Sequence, residues 1–300
     1  MSMIWDVHCH FPRNFDQADA DPAIALDARA DALRAAGVTR ASLLCAGGPM
    51  RQSTMPPMTH DEAIVLSRRH EDLFVPVATV NVDETNGHEI RRLRELGYRG
   101  LKIIGSKHDY DFHGYFRLYE AAEVARMPIL FHMGVIGGGV DYSITHPRRD
   151  PKAAESMERM QRMGRGQPRD VSATRMRPFH LDTIANNFPE LRLIGAHMGG
   201  TGNYDEAASV ARWRHHVHFD LSGGATIERH AEARGMIGKE IGVEKLVWGS
   251  DCRDDEIADH VVSLTAIMER VGLTADERAR IWYVNAAEMF GEAEPSPTAK

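Results

Sequence analysis

Two histidines separated by one residue, His8 and His10, close the first apolar run of the chain, I-W-D-V-H-C-H. Side chains at i and i+2 of a strand share a face, so both imidazoles point one way and Cys9 points the other. Neighbouring neutral imidazoles are ligands for zinc and related divalent metals. The pair alone is a weak signal, because the chain holds sixteen histidines. The arrangement recurs, however. His132 ends P-I-L-F-H, His197 ends L-I-G-A-H, and Asp251 ends L-V-W-G-S-D. One polar residue after an apolar run is ordinarily a hydrogen-bonded strand end. Five of ligand type, each at such an end, point instead to a metal site with an open position, as metal-assisted hydrolysis requires.

These residues need elements to carry them. Short apolar runs alternate with helical patterns along the whole chain. The strands expected from β-prone composition are 3–7, 41–45, 73–80, 100–104, 128–132, 191–196, 217–221 and 245–249. Helices are expected between them. Pro22 opens one after Asp21, Gly97 stops another, and Thr274 with Glu277 has capping-box spacing. One helix is expected over 227–241 and a last pair from 275 to 290. Eight strand–helix units imply parallel strands, and the number eight favours a closed α/β barrel, a (β/α)8 TIM barrel, over an open sheet. In such a barrel the chemistry sits at the C-terminal ends of the strands, where all five residues fall. A single domain over 1–291 is expected, with a frayed tail at 292–300.

One segment breaks the rhythm. Residues 135–177 form a lid-like insertion after the fifth strand, with a short helix expected over 151–163. Insertions of this length are ordinarily lids or binding loops. From 141 to 178 it carries nine basic residues against five acidic, a local +4 in a protein of net −7. Arg148 and Arg177 within it are candidates to meet an anionic substrate; a solvated arm or a contact with another subunit is the plainer alternative.

The acidic balance argues against general nucleic-acid binding. With 43% apolar and 26% charged residues the chain has a globular composition. No run long enough to span a membrane occurs, and no secretory leader is evident. Cys9, Cys45 and Cys252 are odd in number and far apart, which suits a reducing, cytoplasmic compartment. The glycine pairs that follow several strands match no phosphate-binding fingerprint.

Taken together, the strand-end residues resemble the amidohydrolase superfamily, and the surrounding words resemble its amidohydrolase-2 branch, which includes aminocarboxymuconate-semialdehyde decarboxylase. The matching words are DVHCHF, GYRGLKI, LYEAAEVARMPILFHMG, RPFHLDTIANNFPELRLIGAHMGG, LVWGSD and YVNAAEMFG, spread over nearly the whole chain. The resemblance implies a distorted barrel with one divalent metal per chain, usually zinc. It places His8, His10, His132 and Asp251 as ligands, His197 as the residue that polarises water or substrate, and Asp251 also as general base. Lys102, in G-L-K-I-I-G, stands where binuclear relatives carry a carboxylated bridging lysine. A substrate contact and a structural ion pair are its other readings. The expected activity is hydrolysis of an amide, ester or lactone of a small carboxylated molecule. Non-oxidative decarboxylation of an aromatic or muconate-type acid is the alternative. A homodimer is compatible with the family, though no residue by itself shows it.

Overall fold

The structure, a computed structural model, describes residues 3–12, 21–45, 58–136 and 172–292. Arg148 and the helix expected over 151–163 lie outside the described residues, as does most of the tail. Eight strands form one sheet in sequential order: β1 Trp5–His10, β2 Arg40–Cys45, β3 Phe74–Val80, β4 Gly100–Ile103, β5 Ile129–Phe131, β6 Leu193–Gly195, β7 Val217–Asp220 and β8 Leu246–Val247. Every neighbouring pair is parallel. The amide of Val7 donates to the Trp248 carbonyl at 2.9 Å and that of Asp251 to the His8 carbonyl at 3.0 Å. These bonds bring the end of the sheet back to β1. The fold is a (β/α)8 TIM barrel.

The described helices are α1 Pro22–Ala35, α2 His60–Ser67, α3 Gly87–Leu96, α4 Phe116–Val124, α5 Pro178–Asn187, α6 Tyr204–Trp213, α7 Ala225–Ala233, α8 Ile257–Arg270, α9 Ala275–Ala279 and α10 Asn285–Phe290. Their ends follow local chemistry. Asp21 caps α1 ahead of Pro22, Gly97 closes α3 at φ 115°, and Thr274 with Glu277 forms a reciprocal capping box on α9. The helix expected over 227–241 stops at Ala233, because Gly235 and Gly238 take positive φ. The last pair is broken by a π turn at Arg280–Val284.

Two apolar layers hold the barrel. Trp5, Val7, Leu44, Val77, Leu130, Ile194 and Val247 pack together inside it, closed below by Tyr283, Ala287 and Phe290 of the last helical segment. A larger layer, including Cys9, Leu43, Leu101, Phe131 and Phe219, lies between strands and helices. No described helix is long and apolar enough to cross a membrane.

The first strand departs from simple alternation in a way that decides the site. Trp5 and Val7 face inward, so strict period two would send Cys9 inward and His8 and His10 outward. The register against β2 shifts between Asp6 and Cys9. Three steps on β1 match two on β2, which is a β-bulge. The bulge reverses the parity. Cys9 joins the outer layer, and both histidines turn toward the barrel mouth. The strand also runs three residues beyond the expected Val7.

Candidate metal centre

The bulge brings the His8 and His10 rings to 5.2 Å. Asp251, three residues beyond Trp248, comes to them from across the seam. One of its oxygens is 3.0 Å from His10 Nε2 and 3.9 Å from His8 Nε2. The other oxygen is 3.8 Å from His197 Nε2. Donor atoms of His8, His197 and Asp251 all lie within 4.8 Å of one another. His10 joins this group through Asp251. His132 joins through His197, with His132 Nδ1 3.3 Å from His197 Nε2. All five strand-end residues therefore meet at the C-terminal mouth of the barrel.

The backbone is bent to present them. His197, Met198 and Asp251 all take left-handed conformations, with φ of 57°, 52° and 42°. Non-glycine residues seldom do so, and such strain collects at functional sites. Gly249 removes a side chain where none fits: a Cβ there would lie 2.5 Å from His8 Cβ. Gly134 and Gly200 touch backbone to backbone, so the segments after β5 and β6, which carry His132 and His197, approach closely.

A buried network sets the histidine tautomers. Asp220, the last residue of β7, is fully buried. Its Oδ2 accepts from His8 Nδ1 at 2.8 Å. Its Oδ1 accepts from the Ser222 hydroxyl at 2.6 Å, the His197 amide at 2.7 Å and the Ser222 amide at 3.1 Å. With its proton given to Asp220, the Ser222 oxygen accepts from His197 Nδ1 at 2.9 Å. Assigned from this network, both imidazoles carry their proton on Nδ1 and turn the Nε2 lone pair to the site. His132 shows the opposite tautomer: its Nε2 donates to the Val135 carbonyl at 3.3 Å, leaving Nδ1 inward. Asp220 and Ser222 are absent from the sequence reading. The signal was there, since Asp220 also ends an apolar strand, V-H-F-D.

Charge states follow. Burial holds the His8 and His132 imidazoles below their ordinary value, and nearby Lys102 adds to it. Burial therefore favours the neutral form in which an imidazole binds a metal. Burial would raise the Asp220 and Asp251 carboxyls, but the adjacent histidines outweigh it and hold both low. Lone pairs of His8 and His197 thus converge on an ionised carboxylate, with His132 Nδ1 beside His197. A divalent cation suits this donor set, and the residues fit the group.

Lys102 is 1% exposed and its ammonium lies 3.1 Å from His8 Nε2. It therefore stands at the edge of the cluster. Arg177 is half-exposed and pairs with Glu206 of α6; it does not line the cavity over the cluster. That cavity encloses about 670 Å³. Its walls include His10, His132, His197 and Asp251 together with Ile104, Met133, Ile136 and Ile227.

A family model described as Amidohydrolase, of the amidohydrolase-2 type, matches residues 5–291. The chain belongs to the amidohydrolase-2 family. It is an enzyme of that family, whose members are metal-dependent. No curated protein matches the sequence. Several solved structures share the fold. A probable 2-pyrone-4,6-dicarboxylic acid hydrolase from Acinetobacter baumannii, with citric acid bound, is 14% identical at TM-score 0.58 over 97% of this chain and 100% of that one. The 5-carboxyvanillate decarboxylase of Sphingomonas paucimobilis is 15% identical at TM-score 0.57 over 98% and 100%. A dihydroxybenzoic acid decarboxylase from Polaromonas, with bound manganese, is 14% identical at TM-score 0.53 over 97% of each chain. At these identities the likeness is one of fold.

Proposed function

We propose that this amidohydrolase hydrolyses an amide, ester or lactone bond of a small carboxylated substrate, using one divalent metal ion, zinc by the ligand chemistry. The observation that carries the reading is the split environment of Asp251. One carboxylate oxygen faces His10 and His8, and the other faces His197. By the family resemblance His8, His10, His132 and Asp251 would hold the ion, while the donor atoms within 4.8 Å of one another are those of His8, His197 and Asp251. When bound, the metal supplies a Lewis acid and lowers the pKa of a coordinated water toward ~7.

The chain's own groups do the rest. The Asp251 oxygen near His197 takes the proton of the attacking water. Asp251 is suited to this because the surrounding imidazoles keep it ionised. His197 Nε2 faces the same oxygen and can pass that proton toward the leaving group. Ser222 holds the His197 ring by Nδ1, so Nε2 stays aimed at the reacting centre. Ile104, Met133, Ile136 and Ile227 give part of the cavity wall an apolar lining. Substitution of a general base costs roughly 10²–10⁴-fold in rate, so Asp251→Asn is expected to lower turnover by at least that factor.

The same apolar walls favour a second reading, non-oxidative decarboxylation of an aromatic acid, because Ile104, Met133, Ile136 and Ile227 suit a flat ring. Of the three fold neighbours named above, two are decarboxylases by description and one is a probable hydrolase. Product analysis in ¹⁸O-water separates the two. Solvent oxygen in the organic product supports hydrolysis; carbon dioxide release with no solvent oxygen in the organic product replaces it with the lyase reading. Elemental analysis comes first: one metal per chain is expected, and none after zinc or manganese loading would overturn both.

A further inference from the structure

The cavity has a second polar pole that none of the assigned roles uses. His260 of α8 lines it. Its Nδ1 lies 3.2 Å from Glu228 Oε1. Glu228, on α7, is 1% exposed, and its other oxygen accepts from the Ser263 hydroxyl. A buried carboxylate requires such partners, since an unpaired one costs several kcal/mol. The imidazole is therefore anchored at Nδ1. Its opposite edge lies against Gly224, another cavity residue: a Cβ at Gly224 would meet His260 Cε1 at 3.1 Å and Nε2 at 3.6 Å. The preceding Gly223 stands in the same relation to the His197 ring, its Cβ position being 3.1 Å from Nδ1. Two successive glycines thus leave room beside the Cε1–Nε2 edge of His260 and beside the His197 ring, and both histidines line the same cavity.

The charges around His260 favour its cationic form. Glu228 raises its pKa through the hydrogen bond, against the effect of burial, and Glu256 and Asp259 add to the rise. Glu256 is itself engaged by Arg253, through the backbone amide at 3.0 Å and the guanidinium at 3.4 Å. Among the described residues that line the cavity there is no lysine or arginine. An imidazolium N–H is a strong, charge-assisted donor to a carboxylate.

We propose that His260, positioned by Glu228, is the specificity residue that grips a carboxylate of the substrate at the end of the cavity away from the reacting bond. This rests on the cavity being the substrate pocket proposed above and assigns that substrate's anionic end to α8. The ligand class is a small acid with a second oxygen function a few bonds away, within reach of the metal cluster.

The test uses the full chain, zinc-loaded, with glutaramate and its neutral diamide, glutaramide, as calorimetric probes. Wild-type protein binds glutaramate about tenfold tighter than glutaramide, the difference between a charge-assisted and a neutral hydrogen bond at His260. In His260→Gln that preference disappears. In Glu228→Gln, which keeps an oxygen for Nδ1 but loses the charge, the preference persists at pH 6 and is lost by pH 8. The His260 Cε1–H resonance then titrates at lower pH than in wild type, a shift that a merely structural His260 would not link to ligand preference. Retention of the preference in His260→Gln would overturn the proposal. So would a wild-type protein with no preference, or one that binds neither probe. Metal content is read on the same samples. A chain that holds no metal yet keeps the His260-dependent preference sinks the catalytic reading and leaves this one standing.

Discussion

Replacing Asp220 by Asn tests whether the network beneath the site, rather than the ligands alone, sets metal affinity. The amide fits the same volume but offers one acceptor oxygen in place of two. Asp220 Oδ1 meets three donors between 2.6 and 3.1 Å, so the amide oxygen takes that place. The NH₂ then faces His8 Nδ1, where the carboxylate accepted at 2.8 Å. Two donors cannot face each other in a buried site. Either the clash remains, at about 1–3 kcal/mol for an unsatisfied buried donor, or His8 moves its proton to Nε2. A proton on Nε2 occupies the lone pair that would bind metal. Both routes weaken the metal by a similar amount, because 1.4 kcal/mol is about tenfold and loss of an outer-shell partner typically costs roughly 10–100-fold. Zinc affinity, measured by competition with a chromophoric chelator, is expected to fall by that factor in Asp220→Asn. The His8 tautomer, read from long-range ¹⁵N–¹H correlations of the metal-free protein, is expected to switch from Nδ1–H to Nε2–H. Zinc affinity within twofold of wild type, with His8 still protonated on Nδ1, would refute the reasoning.

Other outcomes follow from the same geometry. Gly249→Ala drives a Cβ to 2.5 Å from His8 Cβ at the seam that closes the barrel; a loss of about 1–3 kcal/mol is expected for such overpacking, measured by urea unfolding. Metal retention after dialysis should be constant from pH 8 down to about 6.5, the ordinary imidazole value, and persist somewhat below it. The reason is that burial holds His8 and His132 in the neutral form; release at or above pH 7 would contradict their depressed pKa values. The acid limb of stability carries the opposite kind of group. Asp220 is held low in the fold, so the stability it contributes is present above the unfolded carboxyl value near ~4 and is lost as pH falls below it. Its Asn variant should show a shallower decline of unfolding free energy over that window. Cys252 lines the cavity, yet burial pushes its thiol up to about 12. Labelling by a disulfide reagent at pH 7.5 should be far slower than for a free thiol, and fast labelling would show that the cavity is wetter than the structure has it.

Much of the architecture was written locally. Eight apolar runs broken by helix caps and glycine stops are enough to specify alternating strands and helices, because caps and turns are short-range chemistry. The capping box at Thr274 and Glu277 and the left-handed stop at Gly97 sit where their residue types put them. A ligand-type residue at the end of a parallel strand must face the barrel mouth or its rim, so His132, His197 and Asp251 could be gathered from spacing alone. The same rule applied to V-H-F-D would have found Asp220.

The direction of the first two histidines is different. Alternation from Trp5 and Val7 sends His8 and His10 to the wrong face, and only the bulge against β2 turns them inward. A bulge is a property of two paired strands, so no reading of one strand contains it. Glu228 and His260 are likewise unremarkable in their own helices, thirty-two residues apart. Their pairing exists because α7 and α8 pack side by side over the end of the barrel. Residue types and strand ends were thus fixed by sequence, through short-range sterics and hydrogen bonding. Which faces those residues present, and which buried charges meet, was decided by the closure of the barrel.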